Sequence, residues 1–165
     1  MKILKPEGNQ GWSFSKPSFK QIPPWKFAPV ADYLSTGHFG PRMIRHETQR
    51  IEVIELCSAA WEVAGDLGMY DLREWIKVKM KGLQPWSLEE ALSFAGTVYG
   101  SQSLYLDVDE LMEDMLAGFI ADHFWEYDEK HNTIWKQRMT TYPKLAEDVH
   151  ERMAHKARQS NQIEK

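Results

Sequence analysis

The stretch DVDELMEDMLAGFIADHFW, residues 107–125, carries the clearest helical pattern in the sequence. Its apolar residues recur at steps of three and four, which places them in one stripe along a helix. The stripe consists of Val108, Leu111, Met112, Met115, Leu116, Phe119 and Ile120. Asp107 and Glu110 have the spacing of a capping box, in which two side chains accept bonds from the free amides of the first turn. We expect this helix to be the element around which the rest of the chain packs.

The same combination of cap, apolar stripe and terminal glycine recurs in two other segments. Asp71 and Ser87 are each followed three residues later by a glutamate, and they open predicted helices over residues 71–81 and 87–99. The expected inner faces are Leu72, Trp75, Ile76 and Met80 in the first helix and Leu88, Leu92, Phe94 and Ala95 in the second. Gly82 and Gly100 are expected to end them.

Two further helices are predicted from their starting prolines. Pro41 suits the first position of a long helix that continues to about Ala64 and ends at Gly65 and Gly68. Its inner side is expected to be Ile44, Ile51, Ile54, Cys57 and Trp61. Pro143 opens a terminal helix, whose stripe is Leu145, Val149 and Met153.

Together these segments predict an all-α fold, a single compact helical domain of five or six helices. An extended N-terminal arm rich in proline and aromatic residues precedes it. The expected boundaries are residues 1–40 for the arm with a short helix, 41–158 for the helical body and 159–165 for a polar tail. A length of 165 residues suits one domain.

The composition restricts the compartment and the chemistry. A single cysteine, Cys57, excludes an internal disulfide and a cysteine-based zinc site. Its place in a helical stripe predicts a buried, unreactive thiol. No window of about 18 apolar residues predicts a membrane span, and the first residues lack the apolar core of a signal peptide. We therefore expect an intracellular, cytoplasmic protein or one within a virus particle.

Charge is unevenly distributed along the chain, whose net charge is −4. Residues 1–40 carry five lysines against Glu7 and Asp32, a net charge of +3. Residues 41–143 carry ten basic and eighteen acidic residues, a net charge of −8. A nucleic-acid-binding domain would present a dense basic face, so nucleic acid is an unlikely partner for this acidic body.

Residues 5–30 are predicted to form an extended arm, because five prolines disfavour a helix there. The same stretch is unusually rich in aromatic residues, whereas disordered tails are poor in them. The candidate partner-binding residues are Trp12, Phe14, Phe19, Trp25 and Phe27. Rings spaced along an extended chain suit insertion into separate pockets of a partner.

Three uses of the arm remain open at this point. It can wrap its own helical body, dock on another protein or a further copy of itself, or bind single-stranded nucleic acid. The last use would combine ring stacking with the charges of Lys16, Lys20 and Lys26.

Two pairs of carboxylates offer the one enzymatic interpretation. Glu52 with Glu55, and Glu110 with Glu113, each share a helix face and could ligate a divalent ion. The pairs resemble the motifs of the all-α nucleoside-triphosphate pyrophosphatases of the MazG kind, in which an E-x-x-E helix and an E-x-x-D helix hold magnesium. In this chain the second motif reads Glu110-x-x-Glu113, with Asp114 displaced by one position. The resemblance implies a Mg-dependent hydrolase, and the other interpretation is a set of solvated acidic helix faces.

We therefore expect a non-catalytic interaction or assembly component, docking through the aromatic arm and the acidic helical surface. A component of a virus particle or other large complex and an inhibitor of a host enzyme both fit this description. No cofactor is expected, and magnesium enters only under the alternative of the pyrophosphatase-like hydrolase.

Overall fold

The computed structural model describes residues 4–7, 11–14, 22–40, 46–101, 106–130 and 132–163. Within these ranges two short strands precede eight helices. The strands are β1 (Leu4–Glu7) and β2 (Gly11–Phe14). The helices are α1 (Pro24–Thr36), α2 (Glu47–Leu67), α3 (Tyr70–Gly82), α4 (Leu88–Gly100), α5 (Leu106–Asp122), α6 (Phe124–Lys130), α7 (Asn132–Thr141) and α8 (Pro143–Ile163). The body is all-α as predicted, with eight helices in the described ranges where five or six were expected.

The N-terminal region differs from a fully extended arm. β1 and β2 form an antiparallel hairpin, and α1 begins at Pro24, earlier than the short helix expected from Pro29 onward. Pro24 occupies the first turn of α1, where its missing amide has no helical partner to lose. α1 packs against α2 and buries Val30 completely, so this helix joins the helical body.

The helices α2 and α5 lie at the centre of the body. α2 contacts α1, α3 and α4, while α5 contacts α3, α4 and α8. α4 contacts both α2 and α5. Its buried residues are Ala91, Leu92, Phe94, Ala95, Gly96 and Val98. The prediction that residues 107–125 alone organise the fold is therefore only half right.

The capping box predicted at Ser87 is present in the structure. The amide of Glu90 donates to the Ser87 hydroxyl at 3.2 Å, and the amide of Ser87 donates to the Glu90 carboxylate at 2.7 Å. The prediction for Asp71 was wrong, because α3 begins at Tyr70 and Asp71 lies inside its first turn. α5 likewise begins at Leu106, so Asp107 is already a helical residue.

Some residues of the predicted stripes are exposed in the structure. Met112, Leu116 and Ile120 are fully buried in α5, as predicted, but Leu111 is exposed. In α2 Ile51 is exposed, and in α3 Trp75 is 45% exposed. The buried residues of each helix face its neighbours, and these three side chains lie outside that face.

Two arginines join helices that are distant in sequence. Arg73 of α3 is buried, forms an ion pair with Asp109 of α5, and donates to the Trp61 carbonyl of α2 at 3.2 and 3.3 Å. Gly65 was predicted to end α2 but lies inside it, directly beneath the Arg73 guanidinium. α2 ends instead at Gly68, which has a φ of 66°.

Arg50 of α2 makes the second connection. It binds the Glu90 carboxylate through two nitrogen atoms at 2.6 and 3.0 Å and donates to the Pro85 carbonyl at 2.8 Å. Because Glu90 also caps α4, one carboxylate fixes both the start of that helix and its position against α2.

The C-terminal helix follows the prediction at its start and extends past it at its end. α8 begins at Pro143 and buries Leu145 and Val149 completely. It continues through residues 159–163, which were expected to belong to a polar tail. None of the described helices combines the length and apolarity that crossing a bilayer requires.

Candidate docking surfaces

The β1–β2 hairpin contains the positions of two predicted aromatic anchors, Trp12 and Phe14, two residues apart in β2. Its register pairs Leu4 with Phe14 and Pro6 with Trp12. Residues two apart in a strand belong to the same face, so these four apolar positions make up one side of the ribbon. Sequence reasoning found the rings but did not anticipate a hairpin.

The remaining anchors divide between the surface and the core. Trp25, in the first turn of α1, is 62% exposed. Phe27 is half-buried and packs against the hydrophobic core, so its ring contributes to the packing of α1 on the body. Lys26 forms an ion pair with Glu62 of α2, which holds the start of α1 against the body. Phe19 lies outside the described residues.

A groove lies between α1 and α2 and is called the α1–α2 groove below. It has a volume of about 410 Å³. Its lining is Ala28, Pro29, Asp32, Thr36, His38, Phe39, Gly40 and Leu56. The His38 ring also meets the exposed Trp75 ring of α3 edge-on, with 6.4 Å between the ring centroids.

Carboxylates accompany the exposed apolar residues of this surface. Asp32 lines the groove itself. Glu52 precedes Leu56 by four residues in α2, and Asp71 precedes Trp75 by four residues in α3. Residues four apart share a helix face, and Glu52 and Asp71 are both exposed. The surface is therefore apolar with an acidic edge.

A second groove, of about 310 Å³, runs between α5 and α8 and contains Glu110 and Glu113. Its charges are largely engaged with each other. Lys144 pairs with Glu113 and, at 3.1 Å, with Asp148. The Tyr99 hydroxyl donates to Asp148 at 2.8 Å. Burial raises the pKa of the Tyr99 hydroxyl, and burial also raises the pKa of Glu113 against the opposing effect of Lys144. This network joins α4, α5 and α8.

The carboxylates of the hydrolase alternative lie in separate places. Glu55 lines a groove between α2 and α4 together with Glu90, whereas Glu110 and Glu113 line the groove between α5 and α8. All four alternative ligands, including Glu52, are described, and among the described residues no three His, Cys, Asp or Glu side chains are grouped to hold a metal ion. The structure does not bring the two pairs together.

Two other reactive side chains have structural surroundings. Cys57 is completely buried, and burial raises the pKa of its thiol to about 12 against the opposing effect of Lys79. The His123 ring stacks on Phe119 at a centroid distance of 4.3 Å, and its Nδ1 lies 2.9 Å from the Phe119 carbonyl. The predicted burial of Cys57 is confirmed, and His123, between α5 and α6, packs against the Phe119 ring.

The α1–α2 groove was not found from the sequence. Leu56 lies off the predicted stripe of its helix, and His38 lies in a predicted connection. The available signal was Leu56, a large apolar residue outside the predicted stripe. A single residue of this kind is common on protein surfaces and does not indicate a site by itself. Only the structure shows that Leu56, Phe39 and His38 lie in one place.

Comparisons of the chain with protein-family models, with curated proteins and with solved structures gave no match. Any assignment of function therefore depends on the surfaces just described.

Proposed function

We propose that the chain is a non-catalytic interaction protein, a component of a larger assembly. It docks on another protein through its N-terminal arm, and its acidic helical surface provides further contact. The observation that carries this proposal is the single apolar face of the hairpin, followed by the 62% exposed ring of Trp25.

Hairpin energetics support a docking role. An isolated two-stranded ribbon is at best marginally stable in water, and a third strand or a packed apolar face is needed for independent stability. The face formed by positions 4, 6, 12 and 14 supplies such an apolar surface. Contact with a partner would bury it together with the Trp25 ring.

Charge supports the same interpretation. Residues 1–21, which precede the helical body, carry four lysines against Glu7, a net charge of +3, so the arm favours an acidic partner surface. The −8 carried by residues 41–143 favours a basic one. Complementary charge raises association rates and selects partners more than it raises affinity. The apolar rings then supply most of the binding energy, as aromatic residues do at interface centres.

The test is affinity capture from the native source with the full chain as bait. Two variants remove the proposed anchors, Trp12→Ala/Phe14→Ala and Trp25→Ala. The control is Trp125→Ala, which removes a ring that is 71% exposed but belongs to α6. Loss of a central aromatic anchor should reduce the captured partner by about tenfold or more, and the control should capture as much as the full chain.

Unchanged capture by both arm variants would contradict the proposal. Each variant must also keep the helical circular dichroism and unfolding midpoint of the full chain. Any deletion should end before Ile22, because Ile22 and Phe27 pack against the core and their removal would damage the fold.

A further inference from the structure

The α1–α2 groove is open although it is lined by apolar residues. Ala28, Pro29 and Leu56 contribute to a volume of about 410 Å³ between the two helices. Through the contact between His38 and Trp75, the apolar surface extends along α3. Val78, one turn beyond Trp75, is also exposed. Exposed apolar residues grouped in this way are typical of a protein-docking site.

The charges at the edge of this strip are predominantly negative. Asp32, Glu52 and Asp71 flank it from α1, α2 and α3, respectively. The nearby Lys77 is already paired with Glu74 at 2.6 Å, which offsets its charge. Lys79, four residues beyond Trp75, is one positive charge against these three carboxylates. The chemistry of the strip therefore favours an occupant that is apolar, aromatic and basic.

The N-terminal arm of this chain has that chemistry. Its hairpin has one apolar face that includes the positions of Trp12 and Phe14, and residues 1–21, which precede the helical body, carry four lysines against Glu7. We propose that the partner of the arm is a second copy of the chain, whose α1–α2 groove and Trp75 surface receive it. This inference rests on the proposed function of the arm and adds the identity of the partner and the position of the receptor site.

The proposed contact joins two different surfaces, the arm of one protomer and the groove of another. Such a heterologous contact repeats from copy to copy and produces a ring when the rotation closes, or a filament when it does not. It gives the chain the capacity to build an assembly from one component. It also allows each half of the contact to be removed separately.

The test is mass measurement by light scattering and sedimentation, performed on the full chain and on two complementary variants. The arm variant is Trp12→Ala/Phe14→Ala, and the groove variant is Leu56→Lys/Trp75→Ala. The full chain should associate with increasing concentration, and raising the salt from 50 to 500 mM should weaken that association several-fold because exposed charges contribute. Each variant alone should remain monomeric.

Mixing the two variants gives the decisive result. The groove variant still has an intact arm and the arm variant still has an intact groove, so the mixture should form a one-to-one dimer and nothing larger. The control Trp125→Ala should associate like the full chain. Unfolding midpoints of both variants should remain near that of the full chain, and Trp75→Ala alone provides a milder groove variant.

The other outcomes overturn the inference in distinguishable ways. An associating full chain whose variants do not complement each other would show a different interface. A monomeric full chain that still captures a different protein through its arm would overturn this inference and leave the proposed function intact. A monomeric full chain whose arm variants change no capture would overturn both.

Discussion

The substitution Gly65→Ala tests how α2, α3 and α5 are held together. A Cβ atom at Gly65 would lie 2.9 Å from the Cζ atom of Arg73 and closer still to Nη2. The Arg73 side chain is 3% exposed, pairs with Asp109 and donates to the Trp61 carbonyl. The guanidinium therefore has no free space into which it can move without losing its partners.

The expected magnitude follows from two opposing effects. Breaking a buried ion pair by displacing one partner costs about 3–5 kcal/mol, since the other charge stays buried. The gain in helix propensity from glycine to alanine returns about 1 kcal/mol. We therefore expect Gly65→Ala to lower the free energy of unfolding by about 2–4 kcal/mol.

Gly118→Ala provides the matched control. Gly118 lies inside α5, and a Cβ atom there would meet nothing within 4 Å. This substitution should raise the free energy of unfolding by about 0.5–1 kcal/mol through helix propensity alone. Urea unfolding followed by circular dichroism measures both variants. Equal stability of Gly65→Ala and the unsubstituted chain would refute the reasoning about Arg73.

Three other predictions concern burial, the cap and the core. Burial raises the pKa of the Cys57 thiol from 9.0 to about 12, so the folded chain holds this proton more tightly than the unfolded chain. Stability should therefore fall as the pH rises from 9 toward 12, and Cys57→Ala should lack this component in a pH series of urea titrations. Ser87→Ala removes the side-chain acceptor of the α4 cap and should cost about 1 kcal/mol in the same assay; no loss would show that the cap is unimportant. Trp135→Ala removes a buried ring stacked on Tyr127 and should cost about 3–5 kcal/mol. Trp125→Ala should change stability by less than about 0.5 kcal/mol, and equal thermal shifts for the two tryptophan variants would contradict the described burial.

Helical periodicity predicted the elements better than it predicted their exposed edges. The rows of Met112, Leu116 and Ile120 and of Leu145 and Val149 are buried as expected, since residues four apart must share a face. The width of the buried face depends on the neighbouring helices, which a single helical pattern does not reveal. The exposed side chains of Trp75, Ile51 and Leu111 are the result.

Long-range polar contacts were not predictable from local spacing. Arg73 and Asp109 are 36 residues apart, and each has a local explanation as an ordinary residue of a helix surface. An acid in the first turn of a helix is ordinarily explained by the helix dipole, but Asp109 lies buried and paired with Arg73 of α3. The α1–α2 groove escaped prediction for the same reason, because residues from three segments form it.

The central claim is that residues 22–163 contain the helical fold and that the arm before them serves docking. The most direct measurement compares urea unfolding of the full chain with that of residues 22–165, which retain Ile22 and α1. We predict one cooperative transition for each chain, with free energies of unfolding that agree within about 1 kcal/mol, comparable to the marginal stability of a lone hairpin. Loss of the cooperative transition in the shorter chain would contradict the claim, because the arm would then belong to the core.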